Sequence, residues 1–171
     1  MRNGGGKQKG SAFEREVCVK LSRWITDDVQ DDVFWRSAMS GGRATVQKQR
    51  GGRLLKNQVG DISAIDPVGH AFLDQFAIEC KHYASLDFQG LLTGKGKLLQ
   101  FWATISNEAR DHRKLPVLIA KQNRIDPIIC LSSDGLRVLK LVQGETLLNA
   151  PRLGLHILDF DYFLSVCSPV R

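Results

Sequence analysis

Apolar positions recur at helical spacing soon after the chain begins. Phe13, Val17, Leu21 and Trp24 fall on one stripe, and Ser11-Ala12-Phe13-Glu14 reads as a capping box with Glu14 three residues after the Ser cap. The pattern predicts an amphipathic helix from residue 11. An acidic turn (Asp27, Asp28, Asp31, Asp32) separates it from Val33-Phe34-Trp35-Arg36-Ser37, which has the composition of a short strand. From residue 39 to 59 the periodicity stops and Gly, Gln and Arg dominate. A stretch of about 20 residues without pattern inside a domain is usually functional or disordered, so a mobile loop is expected there.

Alternation returns at residues 61–66, and Pro67-Val68-Gly69-His70 supplies turn residues. Residues 71–83 are predicted as a second extended segment, apolar up to Glu79-Cys80-Lys81. Leu98, Trp102, Ile105 and Ala109 mark an amphipathic helix over residues 97–112. Residues 116–120 and 127–131 read as short buried strands, 136–142 as another strand, and 157–163 as a mixed end. The order α, β, β, β, α, β, β predicts a mixed α/β domain with helices flanking one sheet.

The length of 171 residues suits a single domain over residues 11–171 behind a flexible basic tail, residues 1–10. No apolar run approaches the roughly 18 residues of a membrane span. The glycine-rich, basic start has no apolar segment behind it, so no secretory signal is expected. Cys18, Cys80, Cys130 and Cys167 lie far apart without a CxxC spacing, against a zinc site or disulfide framework and for a reducing, cytoplasmic setting. Charge is more informative: 24 Lys and Arg stand against 18 Asp and Glu, a net +6. The excess lies wholly in residues 1–56, with 12 basic and 6 acidic side chains; the remainder is balanced at 12 of each. Between residues 41 and 56, Arg43, Lys48, Arg50, Arg53 and Lys56 occur with no acid. Such a segment reads as a solvated arm suited to a phosphate backbone, or as a merely soluble basic loop.

Candidate chemistry sits next to that arm. Glu79 and Lys81, two apart on a predicted strand, share a face, while Cys80 points into the core. Taken alone the triplet is an ion pair at a strand end. Asp61 alters its meaning. Residues 61 and 79 are equidistant from residue 70, so an antiparallel hairpin centred there would set the two carboxylates opposite each other. A tight turn within residues 67–70 would instead offset them by about three residues, roughly 10 Å, unless a bulge intervened. Two carboxylates with open water positions suit Mg²⁺, and Lys81 could orient an attacking water or stabilise the hydroxide. A metal beside Lys81 would favour its neutral form for part of the time. These are the parts that phosphodiester hydrolysis needs.

Lys9-Gly10-Ser11-Ala12-Phe13-Glu14-Arg15-Glu16, Arg36-Ser37-Ala38-Met39-Ser40, Gly60-Asp61 and Glu79-Cys80-Lys81 together resemble the PD-(D/E)XK nuclease superfamily. Within it, the nearest likeness is to archaeal and phage Holliday-junction resolvases. The motifs span residues 9–82, and the family's proline is replaced by Gly60. The resemblance implies a restriction-endonuclease-like αβββαβ core with a central mixed sheet flanked by helices. It implies that Asp61, Glu79 and the Cys80 carbonyl hold Mg²⁺, with Mn²⁺ able to substitute, and that Lys81 is the catalytic lysine. Glu14 would reach the same site, although a capping box also explains it. Arg15 and Arg36 would hold phosphates, and Ser37 and Ser40 would contact the scissile strand from a mobile loop. Gln100 could support the site, but the glutamine pattern of some relatives is broken by Thr104. The expected enzyme is a homodimeric, Mg²⁺-dependent endodeoxyribonuclease acting on branched DNA such as a four-way junction. The alternatives are a sequence-specific restriction or homing-type endonuclease, and a non-catalytic DNA-binding protein on a nuclease-like fold.

Overall fold

The computed structural model describes residues 5–37, 59–141 and 146–169. Its elements run α1 (Gly5–Ile25), β1 (Phe34–Arg36), β2 (Ile62–Ala64), a 3-10 turn (Pro67–Gly69), α2 (His70–Gln75), β3 (Phe76–Tyr83), α3 (Gly90–Thr93) and α4 (Lys97–Asp111). They continue with β4 (Leu115–Gln122), β5 (Ile128–Leu131), α5 (Ser133–Val138), β6 (Leu148–Ala150), a 3-10 turn (Pro151–Leu153), β7 (Leu155–Asp159) and α6 (Phe160–Val166). Among the described residues the strands make a two-stranded ribbon, β1–β2, and a five-stranded sheet in the order β3-β4-β5-β7-β6. The order α1, β1, β2, β3, α4, β4 realises the expected core, with short helical insertions.

The sheet is mixed because β3 and β4 run parallel, joined through α4, while β5, β7 and β6 add antiparallel. A parallel pair needs a crossover of this kind and is buried on both faces. Alternate residues divide between two cores: Ile78, Cys80, Val117 and Ile119 pack towards α1, while Ala77, Leu118 and Ala120 pack towards α4. The α4 stripe Leu98, Trp102, Ile105 and Ala109 is buried as expected. Each large apolar side chain so covered contributes roughly 1.5–3 kcal/mol.

Four expectations are corrected. Residues 5–10 are not a tail: α1 begins at Gly5, so Ser11 lies inside the helix and does not cap it. Residues 5–10 contain no proline, so no backbone N–H is missing and a helix nucleated on the Phe13–Trp24 stripe can propagate back through them despite Gly5, Gly6 and Gly10. Residues 70–75 form a helix instead of a strand, continuing from the 3-10 turn that Asp66 caps, its carboxylate accepting from the Val68 N–H at 2.9 Å with Pro67 next to it. That helix removes the antiparallel hairpin: β2 pairs with β1, and Gly60 bridges Ile78 in parallel. Finally, the start of the strand predicted at 136–142 belongs to α5, which the Ser132 hydroxyl caps by accepting from the Gly135 N–H at 3.1 Å; a turn follows at residues 139–140, and residue 142 lies outside the described residues. All four cysteines are free and buried, as their spacing suggested.

Candidate active site

Asp61 is held at the seam between the ribbon and the sheet. Its backbone N–H donates to the Ile78 carbonyl at 2.7 Å, and its own carbonyl accepts from the Ser37 N–H at 2.7 Å. Its carboxylate then accepts from the Cys80 N–H at 2.9 Å. The residue is thus laced to the end of β1 on one side and to the outer edge of β3 on the other. Glu79 and Lys81 are ion-paired on one face of β3, and the Lys81 ammonium stands 3.9 Å from the Asp61 carboxylate. The three side chains converge, although through a parallel bridge and not through the expected hairpin.

Electrostatics give each group a definite state. Burial, followed by the Glu79 charge, raises the Asp61 pKa from 3.8 to about 6. Burial alone would lower the Lys81 pKa, but Glu79 and then Asp61 outweigh it, so the ammonium is held above its ordinary value of 10.5. Between these carboxylates Lys81 is therefore a cation. Its ammonium also lies 5.8 Å from the centroid of the Phe101 ring, a contact that supports the charged form. Burial, and next Asp61, pushes the Cys80 thiol well above its usual range, so the sulfur is no anionic ligand. The Cys80 carbonyl is differently placed. On a strand a residue's N–H and C=O share one edge, and the Cys80 N–H faces Asp61.

These groups fit a hard divalent cation. Two carboxylates crowded enough to raise one pKa, together with a carbonyl on the same edge, form an all-oxygen set. Among the described residues no three His, Cys, Asp or Glu side chains converge, so water would fill the remaining positions. Mg²⁺ retains water in this way.

The other expected site residues are distributed unevenly. Glu14 projects from α1 and accepts from the Arg36 Nε at 2.5 Å, with side chains 14% and 28% exposed respectively. Glu14 thus belongs to the site's wall, and Arg36 is committed to a carboxylate before any phosphate arrives. Arg15 is exposed on α1. Ser37, directly after β1, is buried, and its backbone N–H holds the Asp61 carbonyl, so it positions the site. Ser40, Arg43, Lys48, Arg50, Arg53 and Lys56 lie outside the described residues. Gln100 is exposed; the neighbouring Phe101 is the α4 residue that meets Lys81. Sequence reasoning missed Phe101, whose aromatic ring next to Gln100 was the available signal.

A cleft of about 630 Å³ opens beside these groups, and Glu14, Cys80 and Lys81 form part of its lining. Lys81→Met tests the ammonium directly. It leaves two carboxylates without their cation, and cleavage is expected to fall roughly 10²–10³-fold, as for loss of one charge-stabilising donor. A variant cutting at the wild-type rate would show that the lysine is only a structural ion-pair partner.

A family model described as "Phage putative PDDEXK endonuclease" matches residues 5–152. No curated protein and no solved structure matches the chain. The match spans most of the chain, both motif carboxylates and Lys81, and the chain belongs to this family.

Proposed function

We propose that this PDDEXK-family nuclease is a Mg²⁺-dependent endodeoxyribonuclease that hydrolyses phosphodiester bonds in branched DNA and works as a homodimer. The observation that carries the hydrolytic part is the meeting of Asp61, Glu79 and a cationic Lys81 at the edge of β3. In this reading Asp61, Glu79 and the Cys80 carbonyl hold the ion. A bound Mg²⁺ would supply Lewis acidity for water and phosphate. Lys81 offsets the charge that accumulates on the phosphoryl oxygens at the pentacovalent stage. Glu14 keeps Arg36 at the site's wall, and the Ser37 N–H ties Asp61 to the end of β1.

The branched substrate is supported by the likeness of the motifs to junction resolvases. A four-way junction presents two symmetric scissile strands, which a two-fold dimer matches. The basic segment at residues 41–56 would supply backbone contacts, which position the protein without reading bases. Among the described residues no helix is long and apolar enough to cross a membrane. A family of phage origin would act in the host cytoplasm.

Nick mapping on a labelled four-way junction and on the matching linear duplex tests the whole reading. Paired cuts on the junction are expected with Mg²⁺ or Mn²⁺, none with chelator, and little cutting of the duplex. Cutting of the duplex at one site would favour a restriction or homing-type enzyme. Binding without cutting in either metal would favour a non-catalytic role.

A further inference from the structure

The cleft that holds Lys81 extends past the catalytic groups. Its wall continues along Lys9 and Gly10 of α1 and along His82, Tyr83 and Asn123 at the far ends of β3 and β4. None of these side chains is needed to hold the metal. Lys9 is exposed, and among the described residues no carboxylate pairs with it. Asn123 is engaged through its Oδ1 with the His82 ring at 3.1 Å, which leaves the amide N–H groups to donate elsewhere. The His82 ring is itself fixed by an edge contact with Phe13, centroids 5.7 Å apart.

Gly10 supplies an independent observation. It lies inside α1, where glycine is the least favourable residue after proline. Nothing stands within 4 Å of the position its Cβ would take, so packing within the protein does not require the missing side chain. Its bare surface faces the cleft, and glycine suits places where a ligand backbone must come close.

Resting on the nuclease reading, we propose that this end of the cleft is a second phosphate subsite. It would seat the DNA backbone next to the scissile bond. Lys9 supplies the charge and Asn123 an amide donor. His82 is a positioning residue that orients Asn123, and Gly10 leaves room for the sugar-phosphate chain against α1. The chemistry recognised is a phosphodiester anion, with no base contact.

The test uses the full chain and a labelled junction, with Asp61→Asn for binding and the otherwise intact enzyme for cleavage. Lys9→Ala is expected to raise Kd and KM several-fold with little change in kcat, and to lower the steepness of the salt dependence by about 0.9, one phosphate's worth. Gly10→Ala should unfold at higher urea than the wild type, because alanine favours the helix, yet bind and cut less well. Asn123→Ala and His82→Ala should weaken binding equally, and the double variant should be no worse than either. Unchanged salt dependence in Lys9→Ala, or Gly10→Ala that gains stability with full affinity, would overturn the subsite while leaving the nuclease reading intact. Failure of the unmodified protein to bind or cut any DNA would remove both.

Discussion

Asp61→Asn is expected to cut no DNA and, without metal, to be more stable than the wild type. Asp61 pays for its position. Burial and the neighbouring Glu79 raise its pKa from 3.8 to about 6. An acid whose pKa is higher in the folded chain holds its proton more tightly there, so its favourable contribution is complete below about pH 4. That contribution is lost as pH rises through about 6. At pH 7.5 the folded chain therefore carries an unfavourable carboxylate, amounting to at most about 3 kcal/mol for a shift of about two pH units. The asparagine amide has no charge to desolvate, and its oxygen can still accept from the Cys80 N–H. We expect a gain of about 1–2 kcal/mol in chelator by urea unfolding. Between pH 4 and 7 the wild type should lose stability while the variant stays nearly flat across this range. Added Mg²⁺ should stabilise the wild type and not the variant. A variant less stable than the wild type in chelator would mean that the Lys81 attraction, and not burial, governs this carboxylate.

Gly60→Ala should be damaging for a geometric reason. Gly60 has φ +87°, and a Cβ added there would lie 2.3 Å from the Ile78 carbonyl oxygen. Both the backbone region and the contact are closed to a side chain, with an expected cost of about 2–4 kcal/mol. The strain can be relieved only by moving the start of β2 away from β3, which carries Asp61 with it. A displacement near 1 Å in such a site costs on the order of 10² in rate. Steady-state cleavage should therefore show kcat reduced by about that factor and a higher Mg²⁺ requirement, in protein that remains folded by circular dichroism. Wild-type turnover would show that the bridge to Ile78 is dispensable. The same geometry explains why glycine replaces the motif proline here. Proline fixes φ near −65°, which this bridge cannot accept.

The amphipathic stripes were readable because each buries one face against a sheet: Phe13 to Trp24 on α1 and Leu98 to Ala109 on α4 reported their elements without knowledge of partners. The buried strands β4 and β5 were readable for the same reason. Local capping decided the places that were misread. Leu136-Arg137-Val138-Leu139-Lys140-Leu141 is apolar enough for a strand, yet Ser132 caps a helix running to Val138, and Asp66 caps the 3-10 turn that leads into α2. Asp61 and Glu79 were joined in the sequence by counting across a hairpin that does not exist. Their proximity arises instead from a parallel bridge whose register depends on how the ribbon docks. The His82–Asn123 pair was equally hidden, because it follows from the β3–β4 register, with Tyr83 beside Gln122.

Asp61 and Glu79 do not belong to the same sheet. One follows Gly60 at the start of the β1–β2 ribbon, and the other sits on the five-stranded sheet, with the Gly60–Ile78 bridge between them. A cation drawn in by both would act as a rivet across that joint. The chain that carries Arg43, Lys48, Arg50, Arg53 and Lys56 follows β1 and leads back to Asp61 and β2. Both ends of that basic segment are thus joined to the ribbon that carries one of the two carboxylates.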